Sequence, residues 1–116
     1  MVFFVLVAEA QAASLFFSPE SGTFSEGRNF VVSIIVNSKS QAMNAADGVI
    51  VFPTEKLEVV AVHKTDSIFN FWVQEPSFSN SGAMGNIRFE GVVLNPGFSG
   101  SSGKLLSAVF RAKSRG

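Results

Sequence analysis

Phe30-Val31-Val32-Ser33-Ile34-Ile35-Val36 is the stretch on which the fold turns. Five of its seven residues are β-branched aliphatics, whose crowded Cβ suits a pleated surface better than a helix. Successive side chains of a strand point to opposite faces, so Phe30, Val32, Ile34 and Val36 share one face. Asn37-Ser38-Lys39-Ser40 ends the run with turn-forming residues.

Outward from it, the same grammar repeats. Toward the N-terminus, the two-glycine loop Ser21–Gly27 follows a brief apolar stretch, Ser14 to Phe17, that Ser18-Pro19 stops. Toward the C-terminus, Ala45 to Phe52 alternates up to Pro53, which cannot donate to a ladder. Leu57 to His63 is apolar at nearly every position. Phe69 to Val73 reads as a fifth segment closed by Glu75-Pro76, with Phe78 to Gly82 as a turn. Asn86 to Val93 and Lys104 to Arg111 complete the set, separated by the Gly/Ser-rich stretch Asn95 to Gly103. No stretch of a dozen residues keeps a helical period. Short strands with closely spaced turn signals predict an all-β, two-sheet sandwich. Its expected core is Phe30, Val32, Ile34, Ile50, Phe52, Ile87, Phe89, Leu106 and Phe110.

Composition narrows the functional classes. The 116 residues fit one domain, and 47% of them are apolar. There are 13 Phe and no Tyr, so the aromatic filling carries no hydroxyl to satisfy. Nine basic and nine acidic residues cancel, and no basic stripe suited to nucleic acid is visible. With no cysteine there is no disulfide, thiolate zinc site or cysteine nucleophile.

Residues 1–12 read as the remnant of a secretory signal peptide and residues 13–116 as the domain. Met1 to Ala8 is apolar, and Ala8-Glu9-Ala10 and Ala10-Gln11-Ala12 offer cleavage after Ala10 or Ala12. That places the protein outside the cell or at the cell surface. The other reading of the run is a buried first strand.

Three blocks, in this order, resemble a bacterial cohesin domain, and together they cover nearly everything from Ser14 to Lys113. They are Gly27 to Asn37, Ala46 to Val60, and Asn86 to Gly91 with Gly100 to Lys113. The resemblance implies a jelly-roll sandwich, related in architecture to carbohydrate-binding modules, that binds a dockerin-like protein through one sheet. It implies that the strand Ala45 to Phe52 contributes to that face, with Asp47 at the position of a frequent acidic contact. It also implies a final strand after Phe110-Arg111-Ala112-Lys113, which would leave this chain one strand short. Where the family often has an Asp-Pro turn, this chain has Pro53-Thr54. The Phe69–Val73 segment and the Asn95–Phe98 loop are more like a non-cellulosomal subgroup.

Chemistry-bearing constellations are sparse. His63 could be drawn with Asp66 and a serine, but no nucleophile elbow supports it, and catalysis is not expected. The carboxylates are scattered, there is no EF-hand loop, and neither metal nor cofactor is expected. Trp72 is either an exposed platform for a sugar or protein, or a core residue beside Phe69 and Phe71. In an extended segment Phe69 and Phe71 would share a face opposite Trp72. Phe98 is either the apolar tip of a contact loop or a cap on the core. If strands pair as in the family, Asp47, Val49, Val51, Arg88, Glu90, Leu105, Ser107, Val109 and Arg111 form one outer face. Its apolar centre and charged margin suit a protein partner, and an ordinary solvated sheet face is the other reading. Two functions follow: a cohesin-like protein-binding module, or a carbohydrate-binding module for polysaccharide.

Overall fold

The computed structural model describes residues 5–9, 14–18, 25–38, 42–94 and 97–113, with 5–9 and Ser14 placed by backbone and register. The strands are β1 (Val5–Glu9), β2 (Ser14–Ser18), β3 (Asn29–Asn37), β4 (Ala45–Pro53), β5 (Leu57–His63), β6 (Phe71–Ser79), β7 (Met84–Val92) and β8 (Gly103–Ala112). They form two antiparallel four-stranded sheets, β1-β4-β7-β6 and β2-β3-β8-β5. From β3 onward the chain changes sheet at every connection except β6 to β7. The protein is therefore an all-β sandwich.

Period-two alternation builds the core. Buried and less buried residues alternate along β3, β4 and β7, and each of the nine expected core residues is buried. Phe110 of β8 stacks on Phe30 of β3 with ring centroids 5.8 Å apart. The edge of Phe52, from the other sheet, meets Phe110 at 5.3 Å and so locks the layers together. At the opposite end Phe69 lies 6.4 Å from Phe89.

Three features depart from the sequence reading. β6 does not stop at Glu75-Pro76 but runs on to Ser79, taking in part of the expected turn. It lies at a sheet edge, where a missing ladder donor costs little, and register shifts on either side of Gln74 absorb the irregularity. Next, a bulge between Ile34 and Ile35 sets Ile34 opposite Leu106 but Ile35 opposite Lys104. The extra residue, Leu105, is fully buried beside Leu106 rather than on an outer face. Finally, Val5–Glu9 lies within a sheet rather than outside the fold. It pairs with β4 from Val5 opposite Val51 to Glu9 opposite Asp47. The cleavage positions Ala10 and Ala12, the loop residues Ser21 to Phe24 and the Asn95-Pro96 pair lie outside the described residues.

Candidate functional site

The outward residues of β4 are Asp47, Val49 and Val51, because Ala46, Gly48, Ile50 and Phe52 are turned to the core. The β4–β7 register sets Asp47 opposite Glu90, Val49 opposite Arg88 and Val51 opposite Asn86. Directly opposed residues of an antiparallel pair share a face with Cβ atoms about 4.5–5.5 Å apart. Five of the expected site residues, Asp47, Val49, Val51, Arg88 and Glu90, thus meet on one outer surface.

Val109 does not join them. It lies on β8, between β3 and β5 in the other sheet, opposite Val31 and Ala61. Ser107 and Arg111 go with it, opposite His63 and Glu58 respectively. The single face expected from the sequence is two faces on opposite sides of the sandwich. Alternation reports which side of its own sheet a residue faces, but not which sheet the strand joins.

Two carboxylates dominate the β4–β7 face. Asp47 and Glu90 stand directly opposite each other, and β1 places Glu9 in the same row by register. Among the described residues no ion pair joins Asp47 or Glu90 to a cation. Like charges directly opposed across a ladder are destabilising. One row away, Ala45, Val92 and Phe71 line up across β4, β7 and β6, and Phe71 is 57% exposed.

Phe71 is the residue that sequence reasoning misplaced. Phe69 precedes the strand, and its backbone N–H donates to Ser67 Oγ at 3.1 Å. Phe69 is buried and Trp72 meets it edge-on at 4.9 Å, while Phe71 faces out opposite Val92. Gly91, opposite Trp72, leaves the space that the Phe69 ring fills, and a Cβ there would strike that ring. No local alternation could reveal this, because Phe69 is positioned by loop hydrogen bonds.

Trp72 is half-buried against the core, with Lys64 Nζ 5.8 Å from its ring centroid. Lys64 is in turn ion-paired with Glu75. Phe98 also packs on the core. Its backbone bridges Met43, with N–H···O distances of 2.7 and 2.9 Å, and its ring fills the space beside Gly103. His63 is exposed at the end of β5, and Asp66 sits in the following turn with φ 62°. Among the described residues no three His, Cys, Asp or Glu side chains are grouped to hold a metal.

The class these observations define is a two-sheet antiparallel β-sandwich with a mixed apolar and acidic outer face. No protein-family model, curated protein or solved structure matches the chain.

Proposed function

We propose that this chain is a non-catalytic, cohesin-like binding module of a secreted or cell-surface bacterial protein. Its partner is a protein of dockerin-like kind, held on the outer face of β4 and β7. The observation that carries the reading is the β4–β7 register. It gathers Val49 and Val51 at the centre, with Arg88 and the opposed pair Asp47 and Glu90 around them. Apolar centres with charged margins are what protein partners cover, and an uncompensated acidic pair is relieved by a cation from a partner. The order of the blocks Gly27 to Asn37, Ala46 to Val60, and Asn86 to Gly91 with Gly100 to Lys113 adds the family resemblance.

Carbohydrate binding is the second reading, favoured by the exposure of Phe71 beside Val92. It ranks second because the other exposed aromatic of β6, Phe78, stands opposite the buried Ile87 and not beside Phe71. Trp72 and Phe98, the other candidates, pack against the core.

The test pairs a pull-down from host secreted protein with a glycan array. With an identified protein partner, Val49→Asp and Asp47→Lys should each weaken binding at least about tenfold, a loss of ~1.4 kcal/mol. Unchanged affinity in both would refute the face. Glycan binding abolished by Phe71→Ala would establish the second reading.

A further inference from the structure

Among the described strands four are edges, β1 and β6 in one sheet and β2 and β5 in the other. Three of them carry features that discourage a further strand. β6 contains Pro76 and two register shifts, β5 a bulge between Val59 and Ala61, and β1 the acidic Glu9. β2 has none of these. It is Ser14-Leu15-Phe16-Phe17-Ser18, uncharged, without proline, and in unbroken register with β3. Natural sheets protect their edges with charge, proline or bulges, and an edge without them is a template for pairing.

The β2 sequence is also self-complementary. If a twofold axis passes through Phe16, Ser14 falls opposite Ser18 of a second copy, Leu15 opposite Phe17, and Phe16 opposite Phe16. Each residue meets one of its own kind, with no charge in the row to repel. The rows across the sheet extend the match. Phe16 is opposite Ile35 on β3, so the axis would produce a continuous apolar row Ile35–Phe16–Phe16–Ile35 over four strands. Ser18 is opposite Ser33 and Ser14 opposite Asn37, so the flanking rows are small and polar.

We propose that the outer edge of β2 is a homodimer interface. Two copies pair β2 to β2 antiparallel about Phe16, joining their sheets into one of eight strands. The interface is isologous, as a twofold contact requires, and main-chain hydrogen bonds supply much of its affinity. It is independent of the β4–β7 face, which belongs to the other sheet.

Because the chain has no cysteine, a single engineered thiol reports the geometry directly. Opposed Cβ atoms lie about 4.5–5.5 Å apart, a small adjustment from the ~3.5–4.5 Å that a disulfide needs. The full chain should sediment toward twice its mass as concentration rises. Phe16→Cys should form a disulfide dimer under mild oxidation much faster than Val60→Cys, a thiol on the β5 edge. Phe16→Lys would oppose two cations at the axis and should raise the dissociation constant at least about tenfold. Far-UV circular dichroism checks that this variant folds, and if it does not, the cysteine pair decides. A chain that stays monomeric at every concentration overturns the proposal. So does a dimer in which Phe16→Cys cross-links no faster than Val60→Cys.

Discussion

Where β5 and β6 run side by side, side chains tie the two sheets together. The Asn80 carboxamide accepts from the Val59 backbone N–H at 2.8 Å and donates to the Val59 carbonyl at 3.0 Å, standing in for a strand partner. Lys64, at the end of β5, pairs with Glu75 of β6 and lies over Trp72. Where β1 and β2 adjoin on the opposite flank, the strands are five residues each, mostly apolar, and in unbroken register with their neighbours. The first flank is closed by specific polar contacts and irregular backbone; the second offers regular ladder edges. Edge protection is therefore heaviest on one side of this small sandwich; on the other, Glu9 guards β1, and only β2 is left without charge, proline or bulge.

The largest perturbation should strike both flanks alike. Phe89 is buried between the layers and touches the Phe69–Trp72 cluster. Phe89→Ala should cost about 3–5 kcal/mol in a denaturant melt. Amide exchange should quicken in β2 and β5 together, since both depend on one core. A loss under ~1 kcal/mol would mean the sheets are not joined through this ring.

Asn80→Ala should separate the flanks. It leaves the Val59 N–H and C=O without their side-chain partner at a half-buried site. An unsatisfied group of this kind costs about 1–3 kcal/mol. Exchange at Val59 and its neighbours in β5 should rise while that in β2 stays unchanged. Equal acceleration in both would erase the distinction between the flanks.

Much of this was readable beforehand, and the boundary of what was readable has a physical origin. Alternation in Phe30–Val36 and Ala45–Phe52 reports local backbone geometry, so the strands and their buried faces follow from it. Pro76 misleads because the rule that proline ends strands applies to interior strands, and β6 is an edge. Leu105 misleads because a bulge resets the alternation without leaving a mark in composition. The candidate face was half legible for the same reason. Asp47, Val49 and Val51 are outward on their own strand, and pairing with Arg88 and Glu90 keeps them together. Val109 has the same alternation but belongs to the other sheet, and sheet membership is decided by long-range pairing.

The smallest expected effect tests whether the ion pair on the closed flank holds it together or merely decorates it. The Lys64 and Glu75 side chains are 45% and 65% exposed, so water and salt screen their attraction. Exposed pairs of this kind contribute about 0.2–1 kcal/mol. Glu75→Gln should therefore lower stability by less than ~1 kcal/mol, and high salt should remove most of the difference from the parent. Trp72 is the only tryptophan in the chain, so its fluorescence reports locally on the same contact. Glu75→Gln leaves Lys64 beside the ring and should barely move the emission maximum, whereas Lys64→Ala uncovers the ring and should shift it to the red. If Glu75→Gln instead produces the larger red shift, Lys64 is held over Trp72 by Glu75. The ion pair would then be what closes this flank, and the Asn80 amide would be secondary to it.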